Sequence, residues 1–222
     1  APSEYEDAKV HARALSSEEI EGVREAFIEA AIRAEQAGFD GVELHGAHGY
    51  LLNQFASPRI NRREDRYGGS VEGRLTLTTE IIDGIKTRVS RRPFVVSCRM
   101  GCNDPDLPGG VAIAERLEAA GIDMLHVSAG MGGVERSGAE AITEVMPEDF
   151  PHNWIVYGGI EIASAVDVPV IAVNGIRTPD QVEDILSRGP ACVAMARALL
   201  VDPDWVVKAS KGETPVTCLE CK

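Results

Sequence analysis

Residues 38–69 read GFDGVELHGAHGYLLNQFASPRINRREDRYGG, a short apolar strand running directly into two histidines, a tyrosine and a basic loop. From Asp40 to His45 the residues alternate, Val42 and Leu44 on one face and Glu43 and His45 on the other. If the strand belongs to a barrel, His45 points into the interior near the strand's C-terminal end, where barrels keep their chemistry.

Outward from this stretch the same chemistry recurs. Ala37-Gly38-Phe39-Asp40 precedes the strand to His45, and Ala120-Gly121-Ile122-Asp123 precedes Met124 to Ser128. Each reads as a helix end, a glycine cap and a strand. Arg188-Gly189 makes a third case, so the expected strands are 40–45, 93–99, 124–128, 168–174 and 191–196. Ser16 and Glu19 form a capping box ahead of Ile20, Val23 and Phe27 on one helical face. Leu77, Ile81, Ile82, Ile85 and Val89 give a second helix its apolar stripe. Thr178, Pro179 and Gln181 supply a cap, a first-turn proline and a box partner for a third.

Strand and helix in alternation imply an α/β fold with a parallel sheet. A closed TIM (β/α)8 barrel needs eight strands, and residues 1–15 cannot hold three more units at about 30 residues per βαβ. The expectation is therefore a partial barrel of about five βα units over residues 1–211, followed at 212–222 by the start of a cysteine-containing segment. The strands at its two ends would be left as open edges, so the expectation is either association with another copy or a complementary barrel fragment, or a longer protein whose first three βα units lie outside this sequence.

The chain has 222 residues, 44% hydrophobic and 26% charged, enough for one sizeable core. Its 35 acidic and 22 basic residues give a net charge of −13, which argues against a nucleic-acid partner. Arg59, Arg62 and Arg63 stand among acidic residues and read as surface or loop-anchoring charges rather than a nucleic-acid patch. No run approaches a membrane span and the start lacks signal-peptide character, making a cytoplasmic protein the expectation. Five cysteines, two of them in apolar strand-like segments, do not suggest a disulfide framework.

The opening stretch resembles the Old Yellow Enzyme family of FMN-dependent ene-reductases. The resemblance is carried by His45, the run His48-Gly49-Tyr50-Leu51, Asn53-Gln54-Phe55, Ser57-Pro58, Asn61-Arg62, and Asp65 with Tyr67-Gly68-Gly69. A match over about thirty positions is far more specific than a short glycine motif. Placed on the family, the five strands resemble the fourth to the eighth of its barrel. Ala1-Pro2-Ser3 resembles the segment after the third.

The resemblance implies that NAD(P)H reduces FMN and that reduced FMN reduces the C=C bond of an α,β-unsaturated carbonyl compound, a small enone or enoyl substrate. His45 and His48 sit where the family places donors to the carbonyl oxygen, and Tyr50 where many members place the acid that protonates the α-carbon. Arg99 matches an arginine facing the pyrimidine side of the flavin. Asn174-Gly175 and Ala196-Arg197 resemble the FMN-phosphate segments at the last two strands. Ser128-Ala129-Gly130 is a weaker pocket-lining candidate, and Glu43 reads as a buried, paired carboxylate below the site. The long connection 131–159, with little periodicity, is the candidate for substrate choice.

Other readings of the same residues stay open. His45 and His48 could be structural, or half of a metal site, although no third ligand follows at persuasive spacing. Arg99 could pair with Glu43, and Asn174-Gly175 could be an ordinary turn. Cys218 and Cys221 resemble cysteines that ligate a 4Fe–4S cluster in the dienoyl-CoA-reductase-like branch, but a cluster needs four ligands and so a longer chain; half a zinc site or a redox pair fits the spacing as well. A catalytically silent partial barrel, serving as an interaction or folding module, is the rival to an enzyme. An aldolase or isomerase is weakened by the absence of a strand-end lysine.

Overall fold

The structure, a computed structural model, describes residues 1–6, 11–91, 93–131 and 137–219. In chain order the elements are β1 (Tyr5–Glu6), β2 (His11–Ala12), α1 (Ser17–Gln36), β3 (Gly41–Gly46), α2 (Leu51–Ala56), α3 (Val71–Arg88), β4 (Val95–Gly101) and α4 (Leu107–Ala119). There follow β5 (Met124–Ser128), α5 (Ser137–Val145), α6 (Trp154–Ala163), β6 (Val170–Val173), α7 (Pro179–Ser187), β7 (Cys192–Ala194), α8 (Arg197–Val201) and α9 (Trp205–Ser210). Strands β3 to β7 form one parallel sheet in chain order, so the five expected strands are all present. The pair β1 and β2 is antiparallel and separate from it.

Alternation along the strands divides the sheet into two faces. Leu44, Cys98, Met100, Leu125, Val127, Val170 and Ala172 are buried on the face covered by helices. Against that layer α3 sets Leu77, Ile81, Ile82 and Ile85, with Val89 just beyond its end, all buried as the stripe predicts. Burial of each such side chain stabilises the fold by about 1.5–3 kcal/mol. On α1 the face is turned slightly from the expected one: Ile20, Ile28 and Ala31 are buried, while Val23 and Phe27 are only partly covered.

Both expected capping boxes form, Ser16 with Glu19 and Thr178 with Gln181. Gly38 and Gly121 follow their helices at φ +90° and +84°, a conformation glycine reaches without steric cost, and so turn the chain into β3 and β5. Arg59 and Arg63 anchor loops as expected: Arg59 donates to Pro105 O at 2.8 Å, and Arg63 donates to Pro2 O and Leu15 O at 2.8 and 2.7 Å.

The connection 131–159 differs from its expectation. Beyond residues 132–136, which lie outside the described residues, it contains α5 and the first part of α6. The cause is composition. In α6 Ile155, Val156, Ile160 and Ile162 are buried on several sides, leaving no polar stripe to mark a period. Gly158 and Gly159, poor helix formers, also mask it. They are there because the helix lies close to its neighbours: a Cβ on Gly158 would stand 2.6 Å from Cys102 Sγ.

Candidate active site

In a parallel ladder paired residues point to the same face, and the register sets His45, Arg99, His126, Ile171 and Cys192 in one row across the open face. The row above, toward the strands' C-terminal ends, includes Ser128. Just past β3 the backbone carries His48 at φ +58°. Its N–H donates to Ala129 O at 3.3 Å, and its Nε2 shares a 2.8 Å hydrogen bond with Ser128 Oγ.

The loop is held from its other side by a buried amide. Gly49 N–H donates to Asn53 Oδ1 at 2.8 Å, and Asn53 Nδ2 donates to Asp104 Oδ2 at 2.6 Å. Both side chains belong to residues only 1% exposed. Burial raises the Asp104 carboxyl above the usual range, opposed first by the bond from Asn53. Gly130 lies against this carboxylate so closely that a Cβ there would be 2.1 Å from Oδ2. Gly130 N–H in turn donates to Asn103 Oδ1 at 2.6 Å. The loops after β3, β4 and β5 are thereby tied together.

This scaffold gathers His45, His48 and Tyr50. The His45 ring lies 4.7 Å from that of Tyr50 and 5.2 Å from that of His48, while Tyr50 is 60% exposed. Burial, and next the Arg99 charge, push both imidazoles below the ordinary histidine value. Neutral rings at pH 7 can each offer one N–H.

Beside this cluster a cavity of about 300 Å³ is bordered by His48, Arg99, Asn174, Gly175, Ala196 and Arg197, with Ser128 and Ala129 on its wall. All five residues expected at the flavin therefore share one cavity with one of the three expected catalytic residues. His45 and Tyr50 lie outside its border. Asn174 and Gly175 have φ +98° and +69°, and Asn174 O accepts from Asn153 Nδ2 at 3.0 Å, fixing the turn after β6.

Buried polar atoms lacking a hydrogen-bond partner among the described residues include His45 Nδ1, Arg99 Nε and His126 Nε2. All three belong to the single row under the site. Each costs about 1–3 kcal/mol if left unmet, so the face suits a ligand rich in polar edges. A flavin fits that donor set. Arg99 and Arg197 bring cationic side chains to the same cavity.

Glu43 corrects its expectation in one respect. It is paired, accepting from His126 Nδ1 at 3.0 Å with Ser97 Oγ at 3.4 Å, but its side chain is 39% exposed rather than buried, because the sheet is open on that side. The Arg99–Glu43 pair does not form. Cys218 is a partly exposed free thiol, whereas Cys221 lies outside the described residues. Among the described residues no group of three or more His, Cys, Asp or Glu side chains could hold a metal ion, and no helix is long and apolar enough to cross a membrane.

Three features of the site are not anticipated by the sequence: His126, the role of Ser128 as partner to His48, and the Asn53–Asp104 link. His126 could have been found as the residue at the His45 and Arg99 level on the next strand. The Asn53–Asp104 pair spans 51 positions and leaves no local signal.

Residues 2–215 match the sequence profile of the family described as NADH:flavin oxidoreductase / NADH oxidase. The chain is 42% identical over 218 residues to an NADH oxidase of Thermoanaerobacter brockii, covering 94% of this chain and 32% of that protein. It is 38% identical over 217 residues to a probable NADH-dependent flavin oxidoreductase of Bacillus subtilis, covering 94% and 55%. The solved 2-naphthoyl-CoA reductase in complex with 2-naphthoyl-CoA superposes with a TM-score of 0.81 at 25% identity, covering 99% of this chain and 34% of that one. The chain thus spans between a third and a little over half of the length of these relatives.

Proposed function

The chain belongs to the NADH:flavin oxidoreductase / NADH oxidase family, that of the Old Yellow Enzymes, and on that premise we propose that it forms the substrate-facing and phosphate-facing part of an FMN-dependent ene-reductase. The observation that carries the proposal is the shared cavity: His48, Arg99, Asn174, Gly175, Ala196 and Arg197 come from four strand ends and border one space.

FMN, when bound, supplies hydride transfer, with NAD(P)H as the source of electrons. Arg99 would stabilise negative charge on the flavin's pyrimidine edge, and Arg197 with the Asn174-Gly175 turn would hold its phosphate. His45 and His48, kept neutral by burial, would donate N–H bonds to a substrate carbonyl oxygen and stabilise enolate charge as it develops. Tyr50, against His45 and open to the approach side, would deliver the proton to the α-carbon. Substrates are enones or enoyl thioesters, the latter in keeping with the 2-naphthoyl-CoA held by the superposed reductase. The open sheet face would be completed by further βα units, from a longer chain or a second copy.

Arg197→Ala, in a form of the protein complete enough to bind FMN, tests the phosphate assignment. FMN should lose about 1.5–3 kcal/mol of affinity, the contribution of a charge-assisted contact, while riboflavin, which lacks the phosphate, should lose little. Equal losses for the two flavins by fluorescence titration would defeat the assignment.

A further inference from the structure

Glu43 and Arg99 stand on adjacent strands of the open face, one row apart, and opposite charges so placed would ordinarily pair. They do not. The Glu43 carboxylate instead reaches across β4, past Ser97, to His126 Nδ1 on β5, 3.0 Å away. His126 is the next residue along the row from Arg99, so the carboxylate is tethered on the side of Arg99 remote from its own strand. Arg99 Nε is left buried with no partner among the described residues.

We infer that His126 is a positioning residue: by holding Glu43, it keeps that carboxylate from neutralising Arg99 and leaves the guanidinium directed at the bound flavin. The inference rests on the reading of Arg99 as a flavin contact and adds the means by which its charge stays available. The hydrogen bond from His126 is also the largest influence holding the Glu43 carboxyl below its usual range, ahead of the charge of Arg99. A carboxylate can only accept, so His126 Nδ1–H is the donor in this bond. A carboxylate released onto Arg99 would offset its positive charge and so alter how strongly reduced flavin is held relative to oxidised flavin.

The test is the midpoint potential of bound FMN in the flavin-loaded protein. His126→Ala frees Glu43 to pair with Arg99, and reduced FMN should bind about tenfold more weakly relative to oxidised FMN, a fall of about 30 mV for the two-electron couple. Adding Glu43→Gln to His126→Ala should return the potential to the parent value, and His126→Asn, whose Nδ2–H stands where the imidazole Nδ1–H does, should keep it there. A fall that Glu43→Gln does not reverse would overturn the inference and reduce His126 to a packing residue, as would an unchanged potential in His126→Ala. Arg99→Gln, which removes the charge, tells the two assignments apart: if it leaves both the potential and FMN affinity unchanged, the assignment of Arg99 to the flavin has failed, and the role of His126 with it.

Discussion

On the helix-covered face of the sheet Leu44, Cys98, Leu125 and Val127 are buried against one another and the helices. One residue along the same strands, Glu43, His45, Arg99 and His126 face an open space with their polar atoms only partly matched. The first set satisfies itself and the second does not. A period of two residues thus separates stability from chemistry within each strand, and substitutions on the two faces should fail in different ways.

The sharpest contrast is Tyr50→Phe, measured in a form of the protein that binds FMN. Enone reduction should slow by about 10²- to 10⁴-fold, the usual range for loss of a general acid, with flavin reduction by NAD(P)H and thermal stability nearly unchanged. Equal oxidative half-reactions in stopped-flow traces would remove Tyr50 from the site. Leu125→Ala should behave in the opposite manner. Leu125 is 0% exposed in the middle of the sheet, and its truncation should cost about 2–5 kcal/mol in denaturant unfolding, with the flavin spectrum of the folded fraction unaltered. A Leu125 variant of parent stability but altered substrate preference would break the division between faces.

The smallest effect concerns pH. His45 and His48 are held below the ordinary histidine value by burial and by Arg99, so their folded-state affinity for protons is lower than in the unfolded chain. The associated stability is fully present above about pH 6.5 and is lost as pH falls through the depressed folded-state values. Replacing both with Asn should flatten the acid side of the stability curve below about pH 6.5. An unchanged slope would mean that the rings carry no such linkage.

What the sequence makes legible follows from local chemistry. The glycine caps at Gly38 and Gly121, the boxes at Ser16 and Thr178, and the two-residue alternation around His45 each arise from interactions within a few residues, so they are written in the sequence where they act. The row containing Arg99 and His126 depends on register between strands, and the Asn53–Asp104 bond on two loops meeting. Neither has a local pattern. Helix α6 is hidden for a different reason: a helix largely wrapped by apolar neighbours has little polar face, and periodicity shows only where two faces differ. Glu43 is paired, as its place among polar strand neighbours suggests, yet not buried, because burial at that position depends on strands beyond this sheet.

Strand order in the sheet is also the order of synthesis, β3 through β7. Each strand leaving the ribosome therefore meets its hydrogen-bonding neighbour already made, and no strand has to be inserted between two earlier ones. Growth of this kind proceeds from a single moving edge, needs only the closure of a connection of one or two helices at each step, and keeps exposed backbone to one strand at the front and one at the rear. A ribosome paused after β5 would carry a three-stranded sheet with its buried face in place, ready to receive β6 without rearrangement.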